Sequence, residues 1–220
     1  MELSQAIQDY LKALYKLQPH YPQGVPTTAL AQRMAVAPAS ATNMVKRLAR
    51  LGLVVHTPYQ AVTLTPRGEK VALEVIRHHR LLELFLREHL GLAIDQVHDE
   101  AEALEHVLSE AVEERIAALL GEPDADPHGD PIPSREGRLA HPTYPRLGEL
   151  AAGQGGEVAR VSDEDPRHLR ALAARGLVPG APVRVVGRDR AGGVRVELGG
   201  RRRRIPAALA ERVFVLPAAR

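Results

Sequence analysis

The sequence predicts a mainly α-helical protein with a small β component, built in three parts. Three observations predict it. Apolar residues recur at helical spacing from Ser4 to Leu51 and pass directly into two β-branched runs. A second helical block follows from Pro66 to Leu120, punctuated by Gly91 and Gly121. After Pro123–Pro145, which holds six of the seventeen prolines, the period changes to two, the signature of strands.

In the first part, Ile7, Leu11, Leu14 and Leu17 form one stripe of a helix over Ser4–Leu17, with Ser4 as its N-cap. A Pro/Gly-rich turn over His20–Pro26 leads to a short helix, Thr27–Met34, with Leu30, Ala31 and Met34 facing inward. Ser40–Leu51 reads as a third helix with Met44, Val45, Leu48 and Leu51 apolar, closed by Gly52. Leu53–His56 and Ala61–Thr65 then read as a hairpin around Thr57, Pro58, Tyr59 and Gln60. Three helices and a hairpin in this order make a winged helix-turn-helix, over residues 1–65.

Thr65-Pro66 is an N-cap followed by proline at the first helical position. It predicts a long helix to about Leu90, then helices over Ile94 or Asp95 to Leu108 and from Ser109 to before Gly121. This helical domain covers 66–122, and 123–145 reads as a semi-rigid proline-rich linker. Residues 146–220 read as a small β-barrel. Its strands are Gly155–Val161, the strand-like stretch Ala181–Leu198 and Arg212–Leu216. Asp165–Arg175 is a helical insert, and Pro206–Glu211 is a turn or short helix.

Composition narrows the function classes. The 220 residues are 45% hydrophobic, enough for a buried core. Cysteine is absent, which removes disulfides, thiolate zinc sites and a cysteine nucleophile together. Aromatic content of 3% without tryptophan argues against stacking platforms for single-stranded nucleic acid. With no long apolar run and no apolar stretch near the N-terminus, the expected location is cytoplasmic, away from membranes. Charge is uneven. Residues 1–65 carry six Lys/Arg against two acids; residues 66–120 carry six against twelve. A basic segment followed by an acidic one suggests one part for polyanions and one for cations.

The cation candidates lie in the acidic part, where five of the ten histidines fall between His78 and His106. On a helix running Asp95–Leu108, His98, Glu102, Glu105 and His106 fall within about 100° of one another. Val97, Ala101, Leu104 and Leu108 form an apolar stripe beside them. His79 and Glu83, at i and i+4 on the preceding helix, share a face. A solvated acidic helix laced with salt bridges is the bland reading. Against it, Glu102, Glu105 and His106 have no cationic neighbour on their own face. Like charges beside a core are costly unless a cation offsets them, and a divalent metal does so.

The polyanion candidates lie on the third helix. Ser40, Thr42 and Asn43 have the short polar side chains that reach base edges in a major groove. Lys46, Arg47 and Arg50 suit phosphates, and Thr28 on the second helix joins them. The alternative, a protein-interaction module, sits poorly with the local positive charge. Arg201–Arg204 reads as a solvated strand in which alternate arginines share a face. No GxGxxG, Walker or HExxH pattern occurs.

The stretch Val97-His98-Asp99-Glu100-Ala101 through Glu105-His106-Val107, preceded by Arg77-His78-His79-Arg80-Leu81, resembles the diphtheria-toxin-repressor family of metal-dependent transcriptional regulators. Gly129-Asp130-Pro131-Ile132-Pro133 is similar to that family's linker. Val161–Asp165 and Gly176–Gly180 are similar to its C-terminal SH3-like domain. The resemblance implies a winged helix-turn-helix, a helical dimerisation domain and a C-terminal SH3-like β-barrel. It implies a homodimer that binds palindromic double-stranded operator DNA when metal is bound and represses metal-uptake genes. It places a primary metal site at Asp9, Glu102, Glu105 and His106. An ancillary site falls on His79, Glu83 and His98, completed by Asp165 and His168, with Asp163 or Glu164 as substitutes. Iron-responsive members carry Met and Cys where this chain has Asp9 and Glu102. Oxygen in place of sulfur favours Mn²⁺ over softer ions, with Fe²⁺ the alternative. Manganese regulators of the family carry a Glu where this chain has Lys12 and usually lack the third domain. One primary and one separate ancillary site per chain are therefore expected. A two-metal hydrolase and a metal store are the competing classes, but both leave the basic winged helix unexplained. No catalytic residue is expected.

Overall fold

The structure is a computed structural model, and it describes residues 3–56, 61–163 and 165–218. The chain divides into two compact units. One comprises Met1–His79, Glu105–Leu108 and Pro133–Leu139; the other comprises Arg80–Leu104, Ser109–Ile132 and Ala140–Arg220.

In the first unit, α1 (Gln5–Leu17), α2 (Thr27–Arg33) and α3 (Pro38–Arg50) pack around Ile7, Leu11, Leu14, Leu30, Val45 and Leu48. The stripes expected from spacing face this core, with Leu17, Met34, Met44 and Leu51 only partly buried against it. Proline at the start of α3 brings its beginning forward from the expected Ser40, because the ring's fixed φ suits the first turn. The hairpin pairs β1 (Val54–Val55) with β2 (Thr63–Leu64), Val54 opposite Leu64, and Val25 bridges to Val62 beside it. The expected tip, Thr57–Gln60, lies outside the described residues. Gly24 is required here: at φ +106°, a Cβ on it would meet Ala61 Cβ at 2.9 Å.

The long helix α4 (Pro66–Glu88) ends two residues before the expected Leu90. The next helix differs more. α5 covers only Val97–Leu104, and Glu105, His106 and Val107 form a turn. The Glu105 carbonyl lies 3.2 Å from His78 Nδ1 and accepts its hydrogen bond, while the Glu105 side chain is held by Lys12 and His79. Those contacts replace the ones that would carry a helix onward. Ser109 then opens α6 (Glu110–Leu119).

The stretch expected to be a linker is folded. Ile132 N–H donates to the Asp124 carbonyl (2.8 Å), Asp126 N–H to the Asp130 carbonyl (3.0 Å), and Ala125 bridges to Pro131. Asp126 and His128 are buried. Proline content marked the restricted backbone correctly, but composition does not say that the segment packs.

The second unit also contains the β domain. Its five antiparallel strands are β3 (Gly155–Val161), β4 (Pro182–Arg188), β5 (Val194–Leu198), β6 (Arg201–Ile205) and β7 (Val213–Pro217), ordered β6-β5-β4-β3-β7. α7 (Pro166–Ala173) is the expected insert, and α8 (Ala207–Ala210) precedes β7. Val158, Val185, Val196, Ile205, Val213 and Val215 fill the core with Leu169 and Leu172 of α7. The Arg201–Arg204 run lies on β6; Arg201, Arg202 and Arg204 are exposed, while Arg203 is half-buried.

Candidate metal centre and nucleic-acid interface

In the first unit, α1 buries its apolar stripe and so aims Gln8, Asp9 and Lys12 at the turn after α5. His106 Nε2 stands 2.7 Å from Asp9 Oδ1 and 3.3 Å from Glu105 Oε1. His106 Nδ1 lies 2.5 Å from Gln8 Oε1. The Gln8 oxygen only accepts, so Nδ1 donates to it and Nε2 is the nitrogen left facing the two carboxylates. Asp9, Glu105 and His106 each offer a ligand atom within 4.8 Å of the others. The Glu105 side chain is fully buried. It accepts hydrogen bonds from Lys12 Nζ at 2.8 and 2.7 Å, and His79 Nδ1 stands 2.5 Å from its Oε2. Gln8 was not legible as a participant; its position next to Asp9 is the only signal.

In the second unit, Glu83 on α4 is buried, with His98 Nδ1 3.2 Å from its Oε1 and His128 Nδ1 3.6 Å from its Oε2. Asp126 Oδ1 lies 3.9 Å from the same His128 nitrogen. Glu83, Asp126 and His128 offer three ligand atoms within 4.8 Å of one another, all from buried residues. His128 Nε2 lies 3.2 Å from the Ile94 carbonyl, which accepts its hydrogen bond and leaves Nδ1 for the carboxylates. Burial draws the His128 pKa down, but the Glu83 hydrogen bond and the charges of Glu83, Asp126 and Asp163 outweigh it and lift it to about 9. Burial, then the charges of Asp130 and Glu83, push Asp126 up to about 7 against the pull of His128 and Arg80. The cluster therefore retains protons at neutral pH. A divalent cation supplies the same neutralisation, so the donor set fits one.

Asp126 and His128 escaped the sequence reading because they sit among prolines. The visible signal was a histidine among three acids, Asp124, Asp126 and Asp130, next to Gly129. Other expected ligands are placed as follows. His79 faces Glu105 and Lys12, its Nδ1 3.3 Å from Lys12 Nζ. Glu102 Oε1 lies 3.9 Å from His98 Nε2. Asp165 is the N-cap of α7 and accepts from the Arg167 N–H (2.8 Å) and guanidinium (2.9 Å), contacts that hold its carboxyl well below the usual range. His168 Nδ1 lies 3.4 Å from Asp165. Among the described residues, neither Asp165 nor His168 joins a ligand group, whereas Asp163 contributes charge to His128. Glu164 lies outside the described residues.

On α3, Ala41, Val45 and Leu48 are buried, leaving Ser40, Asn43, Lys46, Arg47 and Arg50 exposed on the opposite face. Thr28 on α2 is exposed as well. The Thr42 hydroxyl donates to the Pro38 carbonyl at 2.8 Å, so its methyl group is the part left for contact. An exposed stripe of short polar side chains running into three cations is what a major-groove helix presents.

Comparison with known proteins matches family domains along most of the chain. Residues 2–62 match the iron-dependent repressor N-terminal DNA-binding domain, 65–134 its metal-binding and dimerisation domain, and 146–217 the FeoA domain. The iron-dependent repressor IdeR of Mycobacterium tuberculosis is 34% identical over 200 residues, 84% of this chain and 85% of that one. This chain belongs to the diphtheria-toxin-repressor family. The diphtheria toxin repressor of Corynebacterium glutamicum is 36% identical over 150 residues, 67% of this chain, and the chain spans 59% of its length. A solved structure described as a manganese-dependent transcriptional repressor in complex with manganese is 40% identical and superposes with a TM-score of 0.85, covering 96% of this chain and 100% of that chain. As a member of this family the protein is a metal-dependent, DNA-binding transcriptional repressor and not an enzyme. Among the described residues, no helix is long and apolar enough to cross a membrane.

Proposed function

We propose that this repressor responds to Mn²⁺, acting as a homodimer on palindromic operators of metal-uptake genes. The observation that carries the metal assignment is the donor set Asp9, Glu105 and His106: two carboxylates and an imidazole, without sulfur. Hard oxygen donors suit Mn²⁺, and the manganese-dependent relative supports the same choice. Glu102 is the expected further ligand of this primary site. For the ancillary site we assign Glu83, Asp126 and His128, with His98 beside Glu83. Asp165 is committed to Arg167 and would have to give up that pairing to serve as a ligand there.

A divalent ion when bound supplies positive charge among these carboxylates. Asp9 lies on α1, whose Leu11 and Leu14 belong to the winged-helix core, and His106 lies in the turn after α5. Tying the two together fixes α1, and through its packing α3. Metal then strengthens DNA binding without touching DNA, with a coupling of ~1–3 kcal/mol or ~5–150-fold.

The test is operator binding by metal-free protein titrated in parallel with Mn²⁺, Fe²⁺ and Zn²⁺. Mn²⁺ is expected to raise affinity at concentrations where Fe²⁺ does not. Equal or better activation by Fe²⁺ would move the assignment to iron, which the IdeR relatives make the second reading. Unchanged operator affinity across a titration that fills the sites would refute metal coupling altogether.

A further inference from the structure

We propose that the Lys12 ammonium is a resident cation of the primary site, holding the place of a second metal ion so that this site accepts a single divalent ion. The inference rests on the primary-site reading above. Glu105 has a fully buried side chain, and its two oxygens face different partners. Oε1 lies 3.3 Å from His106 Nε2, on the side of Asp9. Oε2 lies 2.5 Å from His79 Nδ1. Lys12 Nζ stands 2.7 Å from Oε2, 2.8 Å from Oε1 and 3.3 Å from His79 Nδ1. Two carboxylate oxygens and an imidazole nitrogen are the donors a second divalent ion would use, and a tethered monovalent cation already engages all three.

The lysine is well placed to stay there. It is 5% exposed and lies between Leu11 and Ala13, both in the winged-helix core, so its methylene stem is packed and its head cannot swing to solvent. Its hydrogen bonds keep Glu105 oriented before any metal arrives, because an unpaired buried carboxylate would be strongly disfavoured. They also set a repulsive charge a few ångströms from any second ion. The chain thus carries one of the site's three positive charges in its own sequence.

The experiment measures bound Mn²⁺ per chain and the paramagnetic spectrum of bound Mn²⁺ in the full-length protein, with thermal unfolding as the check on folding. His106→Ala should lose one ion relative to the wild type; no loss would refute the primary-site reading itself. Lys12→Glu should gain one ion relative to the wild type, and its spectrum should show two magnetically coupled ions bridged by Glu105. An unchanged count with an uncoupled spectrum would overturn the resident-cation proposal while leaving the primary site standing. So would a coupled pair in the wild type. If Lys12→Glu does not fold, Lys12→Gln keeps the volume and a hydrogen bond without the charge. It should bind its primary-site ion at least tenfold more tightly than the wild type, and an unchanged affinity would overturn the proposal.

Discussion

Gly129→Ala should weaken metal binding at the ancillary site, because Gly129 shapes the loop that carries Asp126 and His128. Gly129 has φ +86°, and a Cβ there would meet the Ala159 carbonyl oxygen at 2.0 Å and Arg160 Cα at 3.0 Å. Ala159 sits at an irregularity of β3, but the pairs on either side of it, Val158 with Val215 and Arg160 with Phe214, limit how far that carbonyl can retreat. Relief must come from the loop, which then gives up the hydrogen bond from Val161 N–H to the His128 carbonyl (2.9 Å). Positive-φ strain costs about 1–3 kcal/mol and the lost bond about 0.5–1.5 kcal/mol, together about 1.5–4.5 kcal/mol. In the metal-free variant the loop relaxes outward, so the cost falls on metal binding, which needs the native loop. Affinity at the Glu83–Asp126–His128 site should drop roughly 10- to 1,600-fold, at about 1.4 kcal/mol per tenfold. Titration calorimetry with Mn²⁺ separates the two sites, and binding through Asp9 and His106 should be unaffected. Ancillary affinity within threefold of the wild type would refute the assignment of that site to this loop.

Three further predictions follow the same residues. Asn43→Ala should relax operator specificity at one position by ~1–3 kcal/mol, whereas Arg47→Ala should weaken all sequences alike and lower the salt slope by about one; equal losses on operator and random DNA for Asn43→Ala would show that it reads no base. Asp9→Met combined with Glu102→Cys should move the response from Mn²⁺ toward Fe²⁺ and softer ions, and an unchanged order of activating metals would show that ligand hardness is not the selector. The third concerns pH. Both His128, raised to about 9, and Asp126, raised to about 7, hold protons more tightly in the folded metal-free protein than in the unfolded chain. Their stabilising contribution is full at low pH; Asp126 loses its share as pH rises through 7 and His128 as it rises through 9. Metal must displace those protons, so ancillary affinity should increase from pH 6 to pH 8 with proton release visible in the buffer dependence of the binding enthalpy. A pH-independent affinity would contradict the protonated cluster.

Features that depend on short-range periodicity are legible in the linear chain. The stripe Ile7–Leu11–Leu14, the buried face Ala41–Val45–Leu48 and the exposed stripe of α3 follow from a 3.6-residue repeat. The alternation of β5, buried at Val194, Val196 and Leu198, follows from a repeat of two. His98, Glu105 and His106 were legible as ligand types because carboxylates and imidazoles without a local counter-charge require a cation from elsewhere. Which cation, and from where, depends on how the chain folds. Lys12 is far from Glu105 in sequence, and no spacing along α1 links it to that carboxylate; folding places its ammonium there. The same contacts cut α5 short at Leu104 and put Glu105 and His106 in a turn that helical periodicity did not foresee. Asp126 and His128 became a buried pair with Glu83 only because residues 124–132 fold back on themselves, through hydrogen bonds such as Ile132 N–H to the Asp124 carbonyl. Periodicity reports which side of an element is buried; it carries no information about which distant charge will meet it there.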